Sequence, residues 1–400
     1  MQPPIGTLRH AFQTNQIWWR YYNEHKETIR PEVTENIVKM LSCGLKVRGS
    51  AQYACETEDC HHAKLVNFTC KSRFCPSCGK KATEAWIQKQ KNLLPETEYQ
   101  HITFTMPKTL WRLFDLNREL INDLPRLTYK VVQSLCREKK ITLAVFVAIH
   151  TFGRDLQWHP HIHLSTTRGG LSFDEKKWKT FYFKKKALMR AWKYQVIQLL
   201  RQKYKANELI LPPSLKDLCP DIQSFNQWLN TQYNKYWIVH CGRPSKNHWR
   251  NVSYLGRYLK KPPIAQSRLK HYGGNRIVFN YLNHRVNQHQ DFECSNEEFI
   301  RRFIQHIPPK HFRMIRYYGV LANRNRGRLL PIIYDLLNQE VPEQSLPVRW
   351  NHLLKSELDI DPLACVVCNQ RLKLTKIVVG KSSSQLMNYH EQLAKSKPIN

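Results

Sequence analysis

Features of membrane-bound and secreted proteins are scarce in this sequence. The longest apolar run, residues 141–149, is far shorter than the roughly 20 residues that a helix needs to cross a bilayer. The N-terminus, which begins MQPPIGTLRHAF, lacks a continuous apolar segment of signal-peptide length. We therefore expect a soluble cytoplasmic protein that has no membrane partner.

Acidic residues are also few. The chain has 31 Asp and Glu against 63 Lys and Arg, and its formal net charge is +32. Such an excess of positive charge favours a polyanionic partner. Basic residues alternate with aromatic ones in stretches such as WWRYYNEHK and KNHWRNVSYLGRYLKK, which suits phosphate contacts combined with base stacking. The composition therefore indicates a folded protein that binds nucleic acid.

Neither an internal repeat nor a low-complexity tract interrupts the chain, and 400 residues suit two or three domains of ordinary size. Local patterns divide it into four parts. These are an N-terminal helical segment at 1–40, a cysteine-rich module at 41–95, a domain of strands and helices at 96–290, and a basic helical region at 291–400. Residues at about 174–240 have a mostly helical pattern, and we interpret them as an insertion in the third part.

Cysteines are concentrated in the second part, in the spacing of a zinc ribbon. Cys55 and Cys60 enclose four residues, and Cys75 and Cys78 enclose two. Two thiolate pairs on tight turns can complete a tetrahedral zinc site. We therefore expect these four cysteines to bind a structural Zn²⁺. The remaining candidates are possible ligands of a second zinc or alternatives in the first, and they are Cys43, Cys70, His61 and His62.

One further cysteine pair, Cys365 and Cys368, lies near the C-terminal end. A lone Cys-x-x-Cys is a weak signal, and the sequence near it contains no second pair. Half of a zinc site completed from elsewhere in the chain and a pair of free thiols are equally consistent with this pattern.

Two apolar stretches in the third part predict a β-hairpin. ITLAVFVAIH is rich in β-branched residues, and HPHIHLSTT alternates until Gly169 and Gly170, which we expect to close the hairpin. Alternate side chains of a strand share one face, so His159, His161 and His163 should lie together. Two imidazoles on one face of a strand can converge on one metal ion, although strand histidines also occur in purely structural roles.

A basic helix stopped by prolines is predicted at 245–261. Tyr254 and Tyr258 lie four residues apart, which places them on one helical face. Both phenols could reach a phosphate, or both could pack against a core. Three cations lie beside them and are candidate DNA-binding residues: Arg257, Lys260 and Lys261.

Taken together and in this order, the motifs resemble a known family, the two-tyrosine HUH transposases of the insertion-sequence-91 type, which move by rolling-circle transposition. The matching segments are CKSRFCPSC, HITFTMP, HTFGRDLQWHPHIHL, YLGRYLKKPPIAQSRL and RFIQHIPPKHFRMIRYYG. They extend over about 40 to 320, which is most of the chain.

The resemblance implies an α+β fold in which helices flank an antiparallel sheet. It implies that His161 and His163 bind a catalytic Mg²⁺ or Mn²⁺. Tyr254 and Tyr258 would be the nucleophiles that form a 5′-phosphotyrosine. The implied partners are single-stranded DNA at the ends of a mobile element and target DNA, in the nucleoid of a bacterium; the oligomeric state is left open.

Two histidines are too few ligands for a hard divalent ion, so a third protein ligand is expected. The candidates are His159, Asp155, Gln157 and His101. Two other functions use parts of the same pattern. A plasmid or phage replication initiator would use the same nicking chemistry, and a non-catalytic zinc-ribbon protein would bind nucleic acid with both tyrosines in its core.

Overall fold

A computed structural model describes residues 8–91, 93–245, 252–253, 256, 262–283, 286–342, 351, 355 and 359–396. The helices are α1 (Leu8–Gln13), α2 (Ile17–His25), α3 (Pro31–Leu41), α4 (Pro76–Lys91), α5 (Lys108–Leu116), α6 (Leu124–Leu135), α7 (Lys185–Lys205), α8 (Pro213–Lys216), α9 (Ile222–Tyr233), α10 (Asn296–Ile304), α11 (Asn323–Leu336) and α12 (Ser383–Ser396). None of these described helices is long and apolar enough to cross a bilayer.

The strands are β1 (Gly49–Ala54), β2 (Ala63–Asn67), β3 (Tyr99–Phe104), β4 (Ile141–Phe152), β5 (Trp158–Ser172), β6 (Trp178–Thr180), β7 (Val239–Cys241), β8 (Leu269–Gly273), β9 (Arg276–Asn283), β10 (Gln288–Ser295), β11 (Ile315–Gly319) and β12 (Lys373–Val379). They form three antiparallel sheets, with orders β11-β4-β5-β3-β7, β10-β9-β8 and β12-β1-β2, and β6 pairs with β5 beside the first. The predicted class, helices with antiparallel sheets, is confirmed.

The central sheet is covered by helices on both faces, which explains why β4 is apolar throughout. Val145 and Val147 belong to a core shared with α5, α6, α7 and α9. Ala144, Phe146 and Ala148 point to the opposite face and pack in a core with α4 and α11. A strand that is buried on both faces has a continuous apolar sequence instead of alternating polar and apolar residues. The predicted hairpin of β4 with β5 is confirmed by their register.

The N-terminal helices pack against a distant part of the chain. Phe12 of α1 contacts Phe303 of α10 edge to face, with ring centroids 5.2 Å apart. Trp18 of α2 donates a hydrogen bond from Nε1 to Nε2 of His390 in α12 at 2.8 Å. These contacts join the N-terminal helices to α10 and to the last helix.

The structure departs from the predicted organisation in two places. The boundary at 291 falls inside β10, and two strands of the C-terminal region join other sheets: β11 pairs with β4, and β12 pairs with β1. Gly169 and Gly170 do not close the hairpin, because β5 continues through them. A Cβ on Gly169 would lie 2.4 Å from Nε1 of Trp178, so this glycine permits close packing.

A buried histidine holds the turn between β4 and β5. His306 is 5% exposed. Its Nδ1 accepts a hydrogen bond from the Thr151 hydroxyl at 3.1 Å, and its Nε2 donates to the carbonyl of Leu156 at 3.0 Å. Burial lowers the pKa of His306 to about 3. The folded protein therefore keeps this imidazole neutral, whereas an unfolded chain protonates it near pH 6.5.

We predict that His306→Gln makes the free energy of unfolding less sensitive to acid. The stabilising effect of a neutral His306 is complete above about pH 6.5 and is lost as the pH falls toward 3, because only the unfolded chain binds the proton. Between pH 7.5 and 5.5 the unmodified protein should lose about 1.4 kcal/mol more than the variant.

Urea unfolding at the two pH values, followed by tryptophan fluorescence, measures this difference. The exposed His271 provides the control, since His271→Gln should leave the pH dependence unchanged. Equal pH dependence in His306→Gln and the unmodified protein would contradict the assigned role.

Candidate active site and metal centres

Three histidines meet on the β4–β5 hairpin. His150 lies directly opposite His161 in the register, and His163 follows two residues later on the same face. Their ring centroids are 4.4 to 5.3 Å apart. One nitrogen of each ring lies within 4.8 Å of the others. Three nitrogens this close together can bind one metal ion.

Neighbouring groups orient these imidazoles. Nδ1 of His161 lies 2.7 Å from the carbonyl oxygen of His159. Because a carbonyl only accepts, Nδ1 carries the proton and Nε2 keeps its lone pair for a ligand bond. Nδ1 of His163 lies 2.9 Å from Nε2 of His101 and 3.4 Å from the Thr103 hydroxyl. Contacts of this kind fix both tautomer and ring direction.

The environment favours neutral rings. Desolvation lowers the pKa of His161 to about 3 and that of His163 well below its ordinary value, with neighbouring histidines adding to both effects. Burial likewise lowers the pKa of His101 to about 4. Neutral imidazole is the form that binds metal ions, so the group is ready to bind one at neutral pH.

The histidines line a cavity of about 500 Å³. Its described lining contains two cations, Arg154 and Arg268, and no carboxylate. Thr103 and Thr105 add hydroxyl groups. Cations and hydroxyls around a metal-binding group suit an anionic ligand such as a phosphate.

None of the four candidates for a third ligand belongs to this group, and His150 stands there instead. Nε2 of His101 contacts Nδ1 of His163 and does not join the group. The ring of His159 stacks on Trp111 at 4.3 Å. The two others point elsewhere: Asp155 faces Arg302 at 3.8 Å, and Gln157 is exposed. The sequence signal for His150 is the last letter of ITLAVFVAIH, but its significance depends on the strand register.

Both predicted nucleophiles, Tyr254 and Tyr258, lie outside the described residues, as do the predicted DNA-binding residues Arg257, Lys260 and Lys261. Residues on either side of them are described. Val252 is buried with Trp86 and Ile87 of α4, and a Cβ on Gly256 would lie 2.4 Å from Cγ1 of Ile87. Further along, Pro262 and Pro263 line the histidine cavity.

The cysteines form two groups of four, and the expected ribbon grouping is wrong. The first group comprises Cys43, Cys70, Cys75 and Cys78, and the second comprises Cys55, Cys60, Cys365 and Cys368. The reason is geometric. β1 rises about 3.3 Å per residue, so it carries Cys55 roughly 17 Å away from the end where Cys43 lies. Cys55 and Cys60 therefore cannot meet Cys75 and Cys78.

The first group lies between two helices. Cys43 follows α3, while Cys75 precedes α4 and Cys78 lies in its first turn. The Sγ atoms of Cys43 and Cys70 each lie 3.6 Å from that of Cys78. Hydrogen bonding from the Cys43 thiol lowers the pKa of Cys78, and the positive end of a helix dipole favours a thiolate there. Four buried thiols with this spacing suit a structural zinc ion.

We predict that Cys78→Ser removes one equivalent of zinc per chain and loosens the N-terminal core. The fourth sulfur is lost and the other three cannot close a tetrahedral site. Metal analysis of the purified protein measures the loss. Cys294→Ser changes an isolated, half-buried cysteine outside both groups and should keep the full zinc content. An unchanged zinc content in Cys78→Ser would refute the assignment.

Family models match the parts of the chain that carry these residues. A family model described as a putative transposase matches residues 144–328, and one described as a transposase zinc-binding domain matches residues 13–106. The first range includes His150, His161 and His163. The second includes the first cysteine group together with Cys55 and Cys60.

Two curated relatives cover most of the chain. The transposase for insertion sequence element IS801 of Pseudomonas savastanoi pv. phaseolicola is 40% identical over 93% of this chain and 90% of its own length. A putative transposase, y4qJ, of Sinorhizobium fredii is 27% identical over 83% of this chain and 86% of its own. No solved structure matches. The chain therefore belongs to the IS91/IS801 family of transposases, DNA-processing enzymes, and it carries the zinc-binding domain of that family.

Proposed function

We propose that this transposase cuts and rejoins single-stranded DNA at the ends of its mobile element by tyrosine attack, in rolling-circle transposition. The observation that carries the proposal is the cavity in which His150, His161 and His163 converge beside Pro262. That proline comes four residues after Tyr258 in the chain. One short stretch of sequence thus links the proposed nucleophile to the wall of the cavity that holds the three histidines.

The three histidines are the proposed ligands of a catalytic Mg²⁺ or Mn²⁺. Neutral nitrogens with fixed tautomers fit a divalent ion, and three protein ligands leave positions for phosphate oxygens. Such an ion supplies positive charge that neutralises a nonbridging phosphate oxygen and orients the phosphate. The basic cavity lining, with Arg154 and Arg268, would hold the neighbouring backbone phosphates.

Covalent geometry supports Tyr258 as a nucleophile. Tyr258 precedes Pro262, which lines the cavity, by four residues, and four residues of chain extend over at most about 14 Å. Val252 and Gly256 attach the same segment to α4. Tyr254, four residues earlier in the chain, is the second proposed nucleophile.

The proposed step exchanges one phosphate ester for another. The phenolate oxygen bonds to phosphorus, the bond to the 3′ oxygen breaks, and the departing oxygen takes up a proton in place of the one that the phenol gave to solvent. A 5′-phosphotyrosine and a free 3′-hydroxyl result. A 3′-hydroxyl of target DNA can reverse the step and rejoin the strand. The second tyrosine permits another cleavage while the first link persists.

Replacing both Tyr254 and Tyr258 by Phe should abolish a covalent adduct between the protein and single-stranded DNA, because no phenol oxygen remains to attack phosphorus. The assay incubates the full chain with labelled single-stranded DNA and Mg²⁺ and separates the denatured products by electrophoresis. Tyr194→Phe with Tyr236→Phe is the matched control, since both side chains are exposed and lie outside the proposed site. An adduct that survives the Tyr254 and Tyr258 changes would refute the proposal.

His150→Ala should weaken Mn²⁺ binding roughly tenfold or more, because it removes one of three ligands. Calorimetric titration of Mn²⁺ into the full chain measures the change. DNA binding should be largely retained, since phosphate contacts by Lys and Arg supply most of the affinity. His159→Ala is the control, because His159 stacks on Trp111 outside the group. If His159→Ala loses the metal and His150→Ala keeps it, the ligand set is wrong.

A further inference from the structure

We infer that Cys55, Cys60, Cys365 and Cys368 bind a second zinc ion, and that this ion ties the C-terminal part of the chain to the zinc-binding domain. The matched zinc-binding domain ends at residue 106, so two of these four ligands come from outside it. The inference does not depend on the proposed tyrosine chemistry.

The sulfur positions fit a tetrahedral zinc site. The Sγ atoms of Cys55 and Cys368 are 3.3 Å apart, those of Cys60 and Cys365 are 3.6 Å apart, and all four lie within 4.8 Å of one another. Zinc–sulfur bonds of about 2.3 Å in a tetrahedron place the sulfurs about 3.8 Å apart. A disulfide would require about 2.05 Å. The observed spacing therefore corresponds to a shared ion.

Each half of the site is a turn that is built around its sulfurs. Cys55 and Cys60 lie in the connection between β1 and β2, where the amide of Cys60 donates to the Thr57 carbonyl at 2.9 Å. In the other half, the amide of Val367 donates to Sγ of Cys365 at 3.4 Å. Amide donors of this kind favour the thiolate form. The first group has the same contact, from the amide of Cys70 to Sγ of Cys43 at 3.4 Å.

The apolar core at this corner is small. The buried cluster there consists of Cys60, Cys365 and Leu372 alone, with Tyr53 and the two other cysteines packed against it. Every residue of β12 is exposed, although six of its seven residues pair with β1. A core of this size does not offset the cost of ordering two remote segments, and small modules commonly rely on a metal for that purpose.

The ion would close a very long loop. Cys55 and Cys368 are 313 positions apart. With four sulfurs bound, β12 stays next to β1, and α12 stays where His390 meets Trp18. Without the ion, we expect β12 to separate from β1 while the central sheet stays folded, because the sheet has its own extensive cores.

Zinc analysis of the full chain, purified under reducing conditions, tests the inference. We expect two zinc ions per chain in the unmodified protein and one in the double variant Cys365→Ser with Cys368→Ser. The matched control, Cys241→Ser with Cys294→Ser, changes two cysteines outside both groups and should keep two. An unmodified protein with one zinc ion that the double variant also retains would overturn the inference, and so would a thiol count that reveals disulfides among these four cysteines.

Hydrogen exchange supplies a second readout. In the Cys365→Ser, Cys368→Ser variant, amides of β12 and β1 should lose protection while those of β4 and β5 keep it. Unchanged protection of β12 would show that the ion does not tie the segments. Neither measurement uses DNA cleavage. The Tyr254→Phe, Tyr258→Phe variant should keep both zinc ions, so failure of the second site and failure of the proposed function are distinguishable.

Discussion

The pairing of β4 with β5 is the constraint on which the site depends. In this register His150 faces His161, and His163 comes one pleat further along. A slip of one residue would turn the β5 histidines to the opposite face of the sheet. Both faces of β4 are buried against helices, so a slip would also move core side chains out of their places. The same packing that stabilises the sheet therefore fixes the three imidazoles.

Local patterns predicted the features that short stretches of sequence determine. Alternation gave the hairpin, and the i, i+2 spacing placed His161 with His163. Contacts between distant segments were not predictable in this way. His150 was missed because its partner strand and register had to be known first, and the pair Cys365 and Cys368 stayed ambiguous because its partners lie over 300 residues earlier. β11 was missed for the same reason, since β4 supplies its hydrogen bonds.

Two predictions that were based on residue spacing, the zinc ribbon and the glycine turn, are wrong for physical reasons. The ribbon spacing places Cys55 near Cys60 and Cys75 near Cys78, but it does not predict that the two pairs belong to different groups. The length of β1 keeps the two pairs too far apart to bind one zinc ion. Gly169 and Gly170 do not form the predicted turn. They lie within a strand, where the indole of Trp178 occupies the space that a side chain on Gly169 would need.

Helix α4 connects the first cysteine group with the segment that carries the tyrosines. Cys78 lies in its first turn, and Trp86 and Ile87 near its other end contact Val252 and Gly256. Sixteen residues of helix form a rod of about 24 Å. One helix therefore joins the first cysteine group to the described residues on either side of Tyr254.

The pairing of β12 with β1 also has a consequence for how the protein is made. Residues 373–379 leave the ribosome more than 300 residues after β1. At roughly 5–20 residues per second, this delay is on the order of 15–60 s. During that time β1 and β2 form an unfinished sheet with an open edge, while the central sheet can already assemble. The sheet that contains β1 and β2 is thus completed only after the strands of the central sheet have been synthesised.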